Sequence, residues 1–68
     1  MAYLWGKLGK KLRDYRESGN LGLRETARDV GMSPSTLSRI ERGRRCTVEQ
    51  LLTITGFWTI DPMEFWKP

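Results

Sequence analysis

The side chains that could do chemistry in this sequence are mainly cationic. Lysine and arginine number 12 against 8 acidic residues, so the chain carries a formal charge of +4 at pH 7. The excess is uneven, because residues 1–45 hold 11 basic and 5 acidic side chains, a net +6, whereas residues 46–68 hold 1 basic and 3 acidic, a net −2. A basic first segment is typical of a surface that meets a polyanion, although a merely solvated surface also accounts for it.

Residues for other kinds of chemistry are few. The chain has no histidine and a single cysteine, Cys46. These counts exclude histidine-based acid–base catalysis and a zinc site made of several cysteines and histidines. No paired acids, nucleophile–base set or phosphate-binding loop is visible. We therefore expect no enzyme, no cofactor, no metal and no small-molecule ligand.

Cys46 is interpreted as a small buried residue or a partly exposed loop thiol rather than a redox switch. A lone cysteine cannot form an internal disulfide, which favours a reducing cytoplasm, in a bacterial cell or a phage-infected host. No apolar run approaches the roughly 18 residues of a membrane helix. The N-terminal pattern is amphipathic and interrupted by lysine, unlike a signal peptide.

The clearest signals of local structure lie between Leu23 and Gly43. Gly31 suits a left-handed helix end, because glycine adopts positive φ without a Cβ penalty. Ser33 followed by Pro34 is typical of a helix N-cap with proline at the first helical position. Two helices joined by such a short turn form a helix-turn-helix motif.

We predict the first helix of this motif over about 23–30 and the second over about 34–42. Leu37 and Ile40 are three residues apart and face the same side, toward the core. Ala27 is small enough for the second helix to cross the first closely.

Three more helices are predicted around the motif. The spacing of Leu4, Leu8, Leu12 and Tyr15 predicts a helix over about 4–18. Gly6 and Gly9 weaken its first turns, so we expect fraying before Lys10.

Thr47 is expected to cap a fourth helix, and Asp61 with Pro62 to begin a short last helix through Trp66. The predicted core stripe of the fourth helix comprises Val48, Leu51, Leu52 and Thr55, with Ile54 nearby. The whole prediction is an all-α, five-helix single domain over residues 1–68.

The motif and its flanks resemble the DNA-binding domain of the phage-repressor and Cro-like helix-turn-helix family, in its bacterial XRE branch. The resemblance covers nearly the whole chain. The matching motif residues are Ala27, Val30, Gly31, Ser33, Leu37, Ser38, Ile40, Glu41 and Gly43, and the matching flanking residues are Arg13, Arg16, Leu51, Leu52, Ile54, Asp61 and Pro62.

The resemblance implies a lambda-repressor-like fold and a small Cro-like repressor that reads double-stranded DNA in the major groove with the second helix of the motif. Base contacts are then expected from Pro34, Ser35, Ser38 and Arg39. Phosphate contacts are expected from Thr36, Arg42, Arg44 and Arg45, with Arg24 and Arg28 as weaker candidates. Helix capping and surface solubility are the alternative explanation for the serines.

The resemblance also implies an ion pair between Arg16 and Glu41, which would tie the first helix to the recognition helix.

The chain departs from the family at two positions. Leu23 stands where relatives often carry a DNA-contacting glutamine, and Thr26 stands where they usually carry leucine, which would leave the core under-filled.

A homodimer, either free or only on DNA, is the expected assembly, because two-fold dimers read paired half-sites. The C-terminal region is aromatic, and Phe57 and Trp66 are surplus to a small core, so they are candidates for a weak dimer face. The chain ends where the family's DNA-binding module ends. The alternatives are an antitoxin or another protein-interaction module on the same fold, and a fragment of a larger repressor.

Overall fold

The computed structural model describes residues 1–68 as four α-helices, a 3-10 helix and one pair of very short strands. In chain order these are β1 (Ala2–Tyr3), α1 (Trp5–Ser18), α2 (Leu23–Val30), α3 (Pro34–Glu41), α4 (Val48–Phe57), the 3-10 helix (Pro62–Phe65) and β2 (Trp66–Lys67). The strands pair antiparallel, with Ala2 opposite Lys67 and Tyr3 opposite Trp66.

The turn between α2 and α3 follows from its local sequence. Gly31 ends α2 with a φ of +87°, in the left-handed region that favours glycine. The Ser33 hydroxyl accepts a hydrogen bond from the Thr36 backbone N–H at 3.2 Å, and Pro34 occupies the first turn of α3. Both predicted helices of the motif therefore agree with α2 and α3 to within a residue.

The hydrophobic core is small and draws on every helix. It consists of Leu8, Leu12, Ala27, Val30, Leu37, Ile40, Ile54, Ile60 and Phe65. Thr26 lies beside these residues and is only 2% exposed, and its hydroxyl has no hydrogen-bond partner. An unpartnered buried hydroxyl costs stability, so this position is a weak point of the core.

The predicted core stripe of α4 is wrong at two positions. Val48 and Leu52 are exposed, at 71% and 55%, whereas Ile54 and Thr55 are buried. Apolar residues occur nearly all around α4, so periodicity alone cannot choose its inner face. Thr55 can be buried because its hydroxyl donates to the Leu51 carbonyl at 2.7 Å within the helix.

The predicted short last helix is present only as a 3-10 helix, which ends at Phe65 rather than Trp66, so the fold has four α-helices. Asp61 caps the segment as expected, accepting from the Met63 N–H at 2.9 Å, but only one 3-10 turn follows. Trp66 then adopts extended backbone and pairs with β1, while the Phe65 carbonyl accepts from the Leu4 N–H at 2.8 Å. Pairing with the N-terminus replaces continuation of the helix.

Helix α1 is continuous from Trp5 to Ser18, and Gly6 and Gly9 do not interrupt it. Gly9 is buried inside the fold, and the terminal strand pair holds the residues before the helix. Tertiary contacts therefore outweigh the low helix propensity of Gly6 and Gly9. None of the helices combines the length and the apolar character needed to cross a lipid bilayer.

Candidate nucleic-acid interface

The recognition-helix candidate α3 has one buried and one accessible side. Leu37 and Ile40 are each only 1% exposed and pack α3 into the core. The residues expected at base edges lie elsewhere on the helix. Pro34, Ser35 and Arg39 are exposed, and Ser38 is half-buried. The helix thus presents a polar side to solvent while its apolar side positions it.

The hydroxyl groups at the start of α3 already take part in capping. Ser33 Oγ donates to Thr36 Oγ1 at 2.8 Å and lies 3.3 Å from Ser35 Oγ. Each hydroxyl keeps some hydrogen-bonding capacity, because it is both a donor and a two-lone-pair acceptor. Capping and DNA contact would therefore compete for Ser35 and Thr36, whereas the guanidinium group of Arg39 makes no hydrogen bond or ion pair within the chain.

In every ion pair of the molecule the basic residue belongs to α1, and none of the pairs involves a basic residue of α2 or α3. The four pairs are Lys10–Asp14, Lys11–Glu64, Arg13–Glu17 and Arg16–Glu41. The exposed arginines outside these pairs are Arg24, Arg28, Arg39, Arg42, Arg44 and Arg45. Their charge is thus not neutralised within the chain, as an anionic partner requires.

An open cleft of about 630 Å³ lies between α3 and the start of α4. Arg39, Arg44 and Arg45 line one part of it, together with Thr36, Ile40, Cys46, Thr47 and Gln50. Arg24 and Arg28 belong to α2 and do not line the cleft. Arg42 follows the last residue of α3, also outside the cleft, and donates weakly to the Ser38 carbonyl at 3.4 Å. The structure therefore gathers three of the six candidate arginines along one cleft.

Two residues at the start of α4 also line this cleft: Thr47, which was expected only as a helix cap, and Gln50, which was not predicted to have a role. They form a reciprocal capping box, in which the Gln50 N–H donates to Thr47 Oγ1 at 3.0 Å and the Thr47 N–H donates to Gln50 Oε1 at 3.1 Å. The signal was present, since Thr47 follows the arginine pair closely and Gln50 stands three residues later. The start of α4, with its partial positive charge, consequently borders the arginine cleft.

Cys46 is half-buried in the same cleft. Burial raises the pKa of its thiol, so the protonated, weakly nucleophilic form predominates at neutral pH. This environment favours a packing role over redox chemistry.

Arg16 and Glu41 form a bidentate ion pair between α1 and α3. Arg16 Nε donates to Glu41 Oε2 at 2.8 Å and a terminal nitrogen donates to Oε1 at 3.0 Å, while the other terminal nitrogen donates to the Leu21 carbonyl at 2.9 Å. The side chains are only 13% and 6% exposed. The hydrogen bond to Glu41 raises the pKa of Arg16. The pair therefore holds the end of α3 against α1 rather than facing a ligand.

The other positions singled out from the sequence are spread over the surface. Leu23 is partly buried and packs against the core. Phe57 and Trp66 are 42% and 41% exposed but lie on different elements, α4 and β2. The Phe57 ring meets the Trp58 ring edge-on, with centroids 5.0 Å apart.

Comparisons with known proteins agree with this architecture. A family model described as a helix-turn-helix domain matches residues 7–64. The crystal structure of the clp gene regulator ClgR from C. glutamicum is similar, with 30% identity, a TM-score of 0.72, and coverage of 96% of this chain and 86% of that chain. The restriction-modification controller protein C.AhdI from Aeromonas hydrophila is 27% identical, with a TM-score of 0.72 and 91% of each chain covered. No curated protein matches the sequence.

Proposed function

The chain belongs to the family of helix-turn-helix domains, and we propose that it is a transcription regulator that binds double-stranded DNA in a sequence-specific way. The observation that carries the proposal is the set of exposed arginines on and beside α3, none of which has an acidic partner in the chain. The two similar structures belong to gene-regulatory proteins, which is consistent with this role.

In the proposed complex α3 lies in the major groove with its polar side toward the bases. Arg39 is the main specificity residue, because its guanidinium can donate two hydrogen bonds to guanine O6 and N7, worth about 1–3 kcal/mol of discrimination. Ser35 and Ser38 can donate or accept and are less selective. Pro34 has no N–H and would touch a thymine methyl group.

The remaining arginines are proposed to bind phosphate. Arg44 and Arg45 line the cleft beyond the end of α3, Thr36 lines it from the first turns of α3, and Arg42 directly follows the helix. Arg24 and Arg28 on α2 are candidates for the outer edges of the site. Phosphate contacts add affinity for every sequence and make binding strongly dependent on salt concentration.

We propose that the protein represses transcription by occupying an operator, as Cro-like proteins do. We also propose that it is located in the cytoplasm, where it has access to DNA. The proposed assembly is a homodimer, because two copies related by a two-fold axis would place two α3 helices in half-sites about 34 Å apart. Phe57 and Trp66 supply exposed aromatic surface for weak self-association.

The decisive experiment is selection of bound duplexes from a random DNA library by the purified chain, at a stated salt concentration. We expect enrichment of one motif containing a guanine contacted by Arg39, and an affinity that falls steeply as salt is raised. Salt-sensitive binding without any enriched motif would reduce the proposal to non-specific DNA binding, and no binding at low salt would refute it.

A further inference from the structure

Besides the Arg16–Glu41 ion pair, helix α1 meets the end of α3 at two of its glycines, Gly6 and Gly9, where backbone approaches backbone. A Cβ atom at Gly9 would lie 2.5 Å from the Ile40 carbonyl oxygen and 2.7 Å from that of Glu41. One turn earlier, Gly6 Cα lies 3.1 Å from the position that a Cβ of Gly43 would occupy. We call these two approaches the glycine contact. Backbone therefore packs on backbone where the recognition helix ends.

We propose that Gly9 is a positioning residue for DNA binding, because its missing side chain sets where α3 ends and where the arginines after it lie. This inference rests on the proposed function. It concerns a residue of α1 that bears no polar side chain and would not itself touch DNA.

The coupling runs through hydrogen bonds at the end of α3. The Ile40 carbonyl that faces Gly9 also accepts from the Gly43 N–H at 3.0 Å, and the Arg39 carbonyl accepts from the Arg44 N–H at 3.0 Å. A methyl group at Gly9 would be closer to two carbonyl oxygens than packing allows, so the end of α3 would have to move. Gly43 and Arg44 would move with it, and the arginine cleft would change shape.

The Arg16–Glu41 ion pair does not remove this dependence. It holds the Glu41 side chain from a different turn of α1, and a pair of long side chains can follow a shifted backbone. The glycine contact has no such adjustable part, since both its surfaces are backbone. It is the more rigid of the two connections between α1 and the recognition helix.

The test compares Gly9→Ala with Gly6→Ala, because a Cβ at Gly6 would meet nothing within 4 Å. The readouts are the dissociation constant for the selected operator at several salt concentrations and the backbone amide NMR shifts of residues 40–45. Each phosphate contact contributes about 0.9 to the slope of log affinity against log salt. We expect Gly9→Ala to weaken binding to all sequences, lower the slope by about one to two, and shift these amides. Gly6→Ala should leave all three unchanged.

A core variant separates positioning from loss of stability. Ile54→Val removes a methyl group from a fully buried residue of α4, so it lowers the thermal midpoint without touching the end of α3. It should leave the salt slope unchanged when measured well below its midpoint. A folded Gly9→Ala protein with the wild-type slope and wild-type amide shifts would overturn the inference.

If Gly9→Ala does not fold, Gly43→Ala tests the same contact from the other side. Its control is Gly31→Ala, since both glycines have a φ of +87° but a Cβ at Gly31 would meet nothing within 4 Å. We expect Gly43→Ala to lower the thermal midpoint more than Gly31→Ala and to shift the Gly6 and Gly9 amides, and equal midpoints with unshifted amides would refute the contact. If the wild-type chain binds no DNA, the proposed function fails, and a Gly9→Ala protein with unshifted amides at residues 40–45 still refutes the positioning role.

Discussion

Arg39 and Arg44 carry the same charge and line the same cleft, yet they are proposed to act differently. Arg39 lies on α3, on the side that would face base edges, whereas Arg44 follows the helix and would face phosphate. Sequence preference and general affinity should therefore be separable by single substitutions.

We expect Arg39→Ala to relax preference at one base pair, by about 1–3 kcal/mol, and Arg44→Ala to weaken binding to every sequence by a similar factor. The measurement is a titration of both variants against a panel of singly substituted operators, at one salt concentration. Equal losses from both variants across the whole panel would contradict this division of roles.

The side chain of Thr26 leads to a prediction about the free energy of unfolding. Thr26→Val removes the unpartnered buried hydroxyl while keeping the size and the β-branch of the side chain. We expect the free energy of unfolding to rise by about 1 kcal/mol, which for a domain of this size raises the thermal midpoint by roughly 4–8 °C.

Thr55→Val is the matched control for Thr26→Val. Thr55 is also buried on a helix, but its hydroxyl donates to the Leu51 carbonyl at 2.7 Å. Removing a satisfied hydroxyl should leave stability unchanged or lower it. Stabilisation by both valines, or by neither, would show that the missing hydrogen bond of Thr26 is not what limits the core.

Among the contacts between elements, the Arg16–Glu41 pair is the only ion pair that links α1 to α3. Glu41→Gln removes the charge and one acceptor oxygen while keeping the shape, and it leaves a largely buried guanidinium without its partner. We expect a loss of about 1.5–3 kcal/mol in the free energy of unfolding and weaker operator binding. Urea denaturation and operator titration measure the two effects.

Glu17→Gln is the control for Glu41→Gln, because Arg13–Glu17 is an exposed pair within α1. Exposed pairs contribute roughly 0–1 kcal/mol, so this variant should be close to wild type. A Glu41→Gln protein with unchanged stability and unchanged affinity would rule out a structural role for the α1–α3 pair.

The partly buried hydroxyl of Tyr3, in β1, predicts that the stability of the fold depends on pH in the alkaline range. The Tyr3 hydroxyl donates to the Pro62 carbonyl at 2.6 Å. Burial raises the pKa of Tyr3, and the nearby groups of Cys46, Asp61 and Glu64 add to the effect. Because the folded-state pKa is raised, this contribution to stability is complete below the unfolded pKa of about 10 and is lost as pH rises through the folded value.

Tyr3→Phe should therefore lower stability by about 1 kcal/mol at neutral pH and reduce the loss of stability above pH ~10. Thermal midpoints across the alkaline range measure both effects. Tyr15→Phe is the control, since the Tyr15 ring is partly exposed and its hydroxyl makes no hydrogen bond within the chain. If Tyr3→Phe retains the wild-type alkaline profile, Tyr3 ionisation does not limit stability there.

For the whole molecule, the proposed homodimer predicts an effect of its exposed aromatic residues on self-association. Phe57 and Trp66 are exposed as the dimer hypothesis requires, and Val48 and Leu52 of α4 are further exposed apolar residues that the hypothesis does not involve. We expect Phe57→Ala or Trp66→Ala to weaken dimer formation on a two-half-site operator, and Leu52→Ala to have no effect. Analytical ultracentrifugation with and without DNA is the measurement, and a monomer under both conditions would exclude the dimer.

The sequence predicted two features, the turn from α2 to α3 and the family. The turn was predictable because Gly31, Ser33 and Pro34 determine the conformation of backbone within a few residues of themselves. Membership of the helix-turn-helix family was also confirmed, since the recognisable residues lie mostly in this locally determined segment.

Contacts between distant parts of the chain were decided only by the tertiary structure. From the sequence, Gly9 was expected to weaken α1, but in the structure it allows α3 to pack closely against that helix. Trp66 was expected to be helical, but it lies in β2 and pairs with Tyr3 of β1. Likewise, the α4 pattern did not distinguish the buried Ile54 from the exposed Leu52. Between α2 and α3 the local sequence determines where the helices end and begin, whereas the ends of the chain and the side that each helix buries depend on residues far along the chain, which spacing alone does not specify.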